Sequence, residues 1–492
     1  MIFSSYPYLI FLALTVVAFC VLENRLPGLK RTFLLLVSLV FYAWWRVDFL
    51  ALLLGSTVVN FAVGAAITNR HMEGKATRGL LIAGLAFNLG LIAWFKYAGL
   101  LASSANDLLA LGIPIPHLFL PLAISFFTFE QISYLVDAAG GRAPRYSFLD
   151  YALFVSFFPH LIAGPIIRHN DLIPQFGETR NRDKRSDDIA VGMTLFTIGL
   201  AKKTLIADNL APFSDAVFAA AHHGTAVGMA DAWMGTLFFA FQIYFDFSGY
   251  SDMALGSACL FGIRLPMNFN SPYKAASIIE FWRLWHISLS TFLRDYLYIP
   301  LGGNRHGQFR RYANLFITML LGGLWHGANW TFVIWGGLHG LYLIANHSFR
   351  ALTHGFTLPQ SLKPFAHAVS VFITFAAVVF AWTVFRAESF AGAARMISGL
   401  VGAGGDSRLL TFGPLAGGAL VTLFALVWLA PNSMEITWLL KPALETRYRD
   451  AGLRETRWQW RPSTATAVVF GLLFVVSVMA LSNLSPFIYF QF

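Results

Sequence analysis

A histidine sits in apolar sequence at Leu321-Gly322-Gly323-Leu324-Trp325-His326-Gly327-Ala328-Asn329-Trp330, and a second lies upstream in Phe281-Trp282-Arg283-Leu284-Trp285-His286-Ile287-Ser288-Leu289-Ser290. An ionisable side chain at membrane depth is expensive to keep there, so it marks a functional site by default. Burial disfavours imidazolium and leaves a neutral imidazole able to take a proton from a hydroxyl. Two Trp-His pairs in one apolar chain therefore point to acyl transfer inside a bilayer, with His326 as general base. The small neighbours Gly322, Gly323, Gly327 and Ala328 let a second backbone or a ligand come close. The plainer reading of His326 is a core histidine hydrogen-bonded between helices.

Around this pair stand further candidates. His286 shares a helical-looking run with Ser288 and Ser290, and Arg294 and Asp295 follow one to two turns later. It either orients substrate, assists proton transfer or anchors an interfacial helix. Arg283, Ser288, Arg294, Asp295 and Trp325 are candidate donor or substrate contacts, and Asn329 is a candidate oxyanion donor. Asp246 and Asp252 flank Phe247-Ser248-Gly249-Tyr250-Ser251. Buried carboxylates need a cation, with Arg264 or Arg283 as the expected partner, or else they meet substrate. Glu130 reads as structural. Lys202 and Lys203 read as snorkelling side chains, with Asp208 at about helical spacing. Asn268 and Asn270 look like a loop start, His339 like a packing residue, and His160 like a residue that could line the same cavity.

The chain that positions these residues has 492 residues, 57% hydrophobic, 16% aromatic and only 12% charged. Soluble domains carry about 25% charged residues. Repeated apolar stretches give an all-α, polytopic transmembrane helical bundle, and continuous runs exclude the alternation of a barrel. The net charge of +10 fits positive loops on one side of a membrane better than nucleic-acid binding, for which no motif is present. Cys20 and Cys259 both lie in apolar surroundings and read as packing residues. No metal or nucleotide motif occurs.

Apolar segments fall near 8–22, 32–47, 49–67, 79–95, 117–136, 148–166, 189–206, 230–248, 312–325, 330–346, 367–385, 411–430 and 465–482. They predict about 10–13 membrane-embedded segments in one domain spanning 1–492, not all of them full spans. The first segment lacks a basic leader and reads as an uncleaved span. Basic clusters at Arg25/Lys30/Arg31, Arg70/Lys75/Arg78, Arg168/Arg180/Arg182/Lys184/Arg185 and Lys441/Arg447/Arg449/Arg454/Arg457/Arg461 are expected to be cytoplasmic, placing the N-terminus outside. Arg142 and Arg145 precede the 148–166 segment and Arg168 follows it, so both flanks carry the same sign. A re-entrant segment, broken at Pro159, Gly164 or Pro165, resolves the conflict. The stretch 264–311 mixes aromatic residues with Arg264, Lys274, Arg283, Arg294, Arg305, Arg310 and Arg311, and predicts amphipathic or re-entrant helices.

Four pieces resemble the membrane-bound O-acyltransferase family: Phe245-Asp246-Phe247-Ser248-Gly249-Tyr250-Ser251-Asp252, the 281–290 run, Arg294-Asp295-Tyr296-Leu297-Tyr298-Ile299-Pro300-Leu301-Gly302-Gly303-Asn304, and Leu324-Trp325-His326-Gly327. Weaker likeness extends to Trp94-Phe95-Lys96-Tyr97 and to Phe158-Pro159-His160-Leu161-Ile162-Ala163-Gly164-Pro165-Ile166. The resemblance is nearest the bacterial branch that serves alginate O-acetylation. It implies a helical ring with a central tunnel and a catalytic core at 245–347. His326 then matches the family's histidine and His286 its second active-site position. It further implies an acetyl-CoA or acyl-carrier thioester as co-substrate, with no bound cofactor or metal. An SGNH-like periplasmic partner, an exopolysaccharide acceptor and a bacterial inner-membrane location follow. Within the class the alternative is D-alanyl or other acyl transfer from a carrier protein to a cell-wall polymer. Outside it, a proton-coupled transporter or flippase would predict acidic residues recurring across spans and symmetry between halves, and neither occurs.

Overall fold

The computed structural model describes residues 1–116, 118–162, 164–178, 182–405, 414–444, 459–483 and 488. Helices account for its ordered structure: α1 (Tyr6–Arg25), α2 (Lys30–Ala43), α3 (Val47–Met72), α4 (Arg78–Ile92), α5 (Ala98–Leu109), α6 (Ile124–Ala139), α7 (Phe148–Ser156), α8 (Phe158–Leu161), α9 (His169–Leu172), α10 (Arg182–Ala201) and α11 (Asp208–His222). The second half holds α12 (Met229–Leu260), α13 (Ile278–Leu284), α14 (Ile287–Leu293), α15 (Gly307–His326), α16 (Trp330–Leu352), α17 (Lys363–Arg386), α18 (Phe390–Leu400), α19 (Pro414–Leu429), α20 (Ser433–Thr437) and α21 (Thr464–Met479). The fold is all-α; among the described residues a lone bridge between Leu265 and Ala443 is the sole β-type pairing.

Among the described residues, five helical stretches are long and apolar enough to cross a membrane: Tyr6–Arg25, Val47–Met72, Arg78–Leu109, Lys184–His222 and Gln360–Arg386. A sixth forms if two helical pieces bent by 48°, Leu415–Leu429 and Ser433–Leu440, count as one span. The protein is a multi-pass membrane protein. Most remaining apolar segments are too short or too polar to span alone. The hydrocarbon layer needs about 20 residues of helix, whereas α2 has 14 and α7 has 9. The 32-residue α12 is long enough but carries Asp231, Asp246 and Asp252.

Among the described residues, three wide π-turns interrupt the bundle, at Ala93–Tyr97, Lys202–Ala207 and Arg294–Tyr298. Each carries a cation: Lys96, the Lys202-Lys203 pair, or Arg294. Such turns shift the helical register and frequently mark functional positions.

The 148–166 segment is re-entrant. Its helix stops at Phe157, whose ψ of 108° leaves the helical region, and α8 restarts with Pro159 in its first turn. The Tyr146 hydroxyl lies 2.9 Å from His169 Nδ1. Asp137 meets both Arg142, at 2.7 Å, and His169, at 3.3 Å. The two flanks therefore lie at one end of the molecule. The same end gathers the Arg185–Glu23 and Arg31–Asp150 pairs and the Arg264–Asp188 pair. Arg447, Arg449, Arg454, Arg457 and Arg180 lie outside the described residues.

The 264–311 stretch is also re-entrant in path. From Arg264 the chain climbs beside α12, with Asn268 Nδ2 3.3 Å from Ser251 Oγ and the Tyr273 hydroxyl donating to Ala240 O at 2.6 Å. It turns through α13 and descends through α14 and the third π-turn, where the Tyr296 hydroxyl reaches Asp137 at 2.8 Å. Trp285 is buried along this path. An open face at this depth would leave backbone groups unpaired, so the stretch is wrapped by α12, α16 and α17.

Candidate active site

His326 is the last residue of α15, because Gly327 turns to an extended conformation with φ −164° and ψ 158°. α15 and α16 cross where Gly323 meets Gly336: a Cβ on Gly323 would collide with Phe332 O, and one on Gly336 with Met319 O. That crossing holds the imidazole between the rings of Trp325, Trp335 and Phe385, at centroid distances of 5.0, 5.1 and 5.4 Å. His326 is buried but lines a cavity of about 160 Å³ with Trp45, Lys96, Phe126, Ile162 and Trp325.

His286 heads α14 in a left-handed conformation, φ 42°. Its Nδ1 lies 3.1 Å from Asn268 Oδ1, which also receives the Ser288 backbone N–H at 3.2 Å and the Ser288 hydroxyl at 2.9 Å. The backbone donor fixes that atom as the amide oxygen. An amide oxygen only accepts, so Nδ1 of His286 carries the proton and Nε2 bears the lone pair. Trp325 joins the two histidines, with His286 6.1 Å from its ring and His326 5.0 Å.

Ser288 lines a second, small cavity with Ser133, Ile166, Ile167, Arg168, Thr291, Phe292 and Tyr296. Its hydroxyl accepts the N–H of Ile166 from the re-entrant hairpin at 3.0 Å. Between the two cavities stands a stack of Phe292, Phe129 and Trp325, with centroids 4.2 and 5.4 Å apart. A larger groove of about 810 Å³, between α12, α17 and α19, ends at Asn270, Ser271 and Leu284, two residues from His286.

The structure thus brings together His286, Ser288, Trp325 and His326. Other candidates lie elsewhere. Arg283 is exposed on α13. Asp246 pairs with Lys203 at 2.9 Å, and Asp252 with Lys202 at 2.6 Å, so neither Arg264 nor Arg283 is their partner. Lys203 is buried and also holds Asp208 at 2.7 Å; it does not snorkel. Arg294 and Asp295 sit at the basic end, where Arg168 also contacts Asp295. Burial opposes the Asp295 charge, but Arg294 and Arg168 outweigh it and hold the carboxyl below its ordinary value. Asn329 caps α16: its Oδ1 accepts from Thr331 N at 3.0 Å and its Nδ2 donates to Glu388 O at 2.9 Å. Those bonds occupy the amide that an oxyanion hole would need. His339 accepts from the Trp282 indole at 3.2 Å, and His160 faces Glu130 at 3.1 Å. Among the described residues, no group of three or more His, Cys, Asp or Glu is placed to hold a metal.

Residues 117–386 match the membrane-bound O-acyltransferase family. The chain belongs to the membrane-bound O-acyltransferase family. It is 42% identical to the probable alginate O-acetylase AlgI of Pseudomonas putida over 94% of both chains. It is 44% identical to the peptidoglycan O-acetyltransferase of Helicobacter pylori over 77% of this chain and 75% of the relative. The teichoic acid D-alanyltransferase of Streptococcus thermophilus is 27% identical over 54% of this chain and 68% of the relative. As a family member this protein is an O-acyltransferase. Sequence reasoning named two residues at the centre of this acyltransferase without giving either a role in the site. Asn268 was hidden in a proline-rich turn pattern, and Lys96 in a run whose one signal was a cation among aromatic residues.

Proposed function

We propose that this membrane O-acyltransferase moves an acetyl group from a cytoplasmic thioester to a hydroxyl on the outer side, for O-acetylation of an exopolysaccharide. The observation that carries the reading is the placement of the two histidines. His326 lines a cavity of about 160 Å³, His286 is held by Asn268 beside Ser288, and the Trp325 ring contacts both imidazoles.

In this reading the basic end is cytoplasmic, so Arg168 and Arg294 attract a phosphate-rich donor such as acetyl-CoA. The donor is highly charged and does not cross lipid, and the polymer lies outside. A bundle thinned at its centre lets the two meet. His326 takes the proton of the acceptor hydroxyl, and the oxygen attacks the thioester carbonyl. Backbone N–H groups beside the glycines stabilise the oxyanion. The carbon–sulfur bond then breaks, and the thiolate leaves with the proton held by histidine. His286, its Nδ1–H directed to Asn268, keeps Nε2 as an acceptor that orients the donor or relays this proton. The hydroxyl belongs to a periplasmic SGNH-like partner or to the sugar itself. The protein resides in the bacterial inner membrane with its N-terminus outside.

The test is O-acetyl content of secreted polysaccharide and of peptidoglycan in cells carrying His326→Ala or His286→Ala, with membrane levels of each variant measured. Loss from the polysaccharide alone in His326→Ala, at normal protein level, supports the reading. Loss from peptidoglycan alone moves the acceptor to the cell wall, as the 44% identical relative would suggest. Full acetylation of both removes His326 from catalysis.

A further inference from the structure

We propose that Lys96 and Tyr97 are positioning residues that clamp the C-terminal carbonyls of α15 and thereby aim His326. A helix ends with backbone carbonyls that have no partner inside it. Many helices close them with a left-handed glycine. α15 does not, because Gly327 is extended. Side chains from a distant helix supply the bonds instead. The Tyr97 hydroxyl donates to Leu324 O at 2.8 Å, and the Lys96 ammonium donates to Trp325 O at 2.6 Å and His326 O at 3.1 Å. The contacts cross more than 220 positions of sequence.

Charge favours the arrangement too, since the negative end of a helix attracts a cation. Among the described residues no carboxylate acts on Lys96, and the carbonyls of α15 are its anchor. The same ammonium lies 5.9 Å from the centre of the Trp325 ring, and it lines the cavity with His326. One cation thus fixes the backbone of the base and the ring that joins the base to His286. Both clamp residues lie on the π-turn Ala93–Tyr97. A wider turn sets adjacent side chains at a smaller angle than an α-helix does, which lets consecutive residues reach one helix end.

The proposal rests on His326 being the base. It calls for purified protein with radiolabelled acetyl-CoA and de-acetylated exopolysaccharide, comparing Lys96→Met, Lys96→Arg, Tyr97→Phe and His326→Ala. A base displaced by about 1 Å loses about 10²-fold in rate. Lys96→Met is expected to lower kcat by that factor with KM for acetyl-CoA within about twofold of wild type. Lys96→Arg, whose guanidinium also donates to carbonyls, is expected to restore most of the rate, and Tyr97→Phe to lose about tenfold. Wild-type kcat in Lys96→Met, or equal losses in Lys96→Met and Lys96→Arg, overturns the clamp. An independent readout is the rate at which diethyl pyrocarbonate modifies His326, followed by mass spectrometry in the full-length protein. The clamp predicts a changed rate in Lys96→Met and a near wild-type rate in Lys96→Arg; an unchanged rate in Lys96→Met overturns it. If His326→Ala is as active as wild type, the reading of His326 as base fails, and the modification rate alone decides the clamp.

Discussion

At the scale of single residues, the amide of Asn268 organises the inner half of the site. Its oxygen gathers His286 Nδ1, the Ser288 hydroxyl and the Ser288 N–H, while its backbone oxygen accepts the Ile287 N–H at 3.0 Å. Removing the side chain leaves buried donors without that acceptor and frees the His286 ring to rotate. Asn268→Ala is therefore expected to lose about 10²-fold in acyl transfer, through lost alignment. Ser288→Ala, which keeps the His286 bond, is expected to lose less; steady-state rates at matched membrane levels check both, and equal losses would remove Asn268 from the orientation of His286. The two histidines were legible because titratable groups stand out in apolar sequence. Asn268 was not, since Pro266 and Pro272 around it signal a turn equally well. The partners of Asp246 and Asp252 were misassigned for a related reason. Arg264 and Arg283 are near them in sequence, but Lys203 and Lys202 reach them from the π-turn that follows α10. Spacing reports neighbours along one helix, and tertiary partners arrive from another.

At the scale of elements, the α15–α16 crossing turns two glycines into a catalytic requirement. Gly323 lies three residues before His326, and the collisions a Cβ would make there are with backbone, which cannot rotate away. Any larger residue at Gly336 must push the helices apart, moving His326 relative to the Trp335 and Phe385 rings. Gly336→Val is expected to abolish transfer while Gly337→Ala, facing only side chains of Leu320 and Phe316, leaves it near wild type. Acetyl content with immunoblotting of membranes checks the pair; normal activity in Gly336→Val would show that the crossing tolerates separation. The crowding of small residues around His326 signalled this close approach in the sequence. The break of the 148–166 segment was legible from its proline and its two basic flanks. The π-turns were not, because they depend on ion pairs and carbonyl contacts made by other elements. The search for long apolar runs also passed over α5, α11 and α18: all three are short and mix polar with apolar residues, and α11 carries Pro212 inside it.

At the scale of the whole molecule, two re-entrant pieces shape the centre of the bundle, and on the proposed function they let donor and acceptor meet without either crossing the membrane. Re-entrant pieces from both halves, 148–168 and 264–298, meet at Ser288, where the hydroxyl accepts Ile166 N–H at 3.0 Å. Each leaves and returns at the basic end, as the Tyr146–His169 and Tyr296–Asp137 bonds require. Half-depth segments replace full spans at the centre, and they shorten the distance between the two cavities on either side of Trp325. Hydrophobicity alone could not separate a half-span from a full one; the basic residues on both flanks did. The topology is testable by labelling. In a background with Cys20→Ser and Cys259→Ser, single cysteines at Arg145, Asn170 and Thr225 are placed before the hairpin, after it, and at the far end beyond α11. All three positions are exposed. A membrane-impermeant maleimide added to intact spheroplasts is expected to label Thr225→Cys only, and added to inverted vesicles to label Arg145→Cys and Asn170→Cys. Labelling of Arg145→Cys and Asn170→Cys from opposite faces would turn the hairpin into a span and invert everything after it. The basic end of α15 would then face outward and the His326 cavity the cytoplasm, so the donor and acceptor sides of the reaction would exchange.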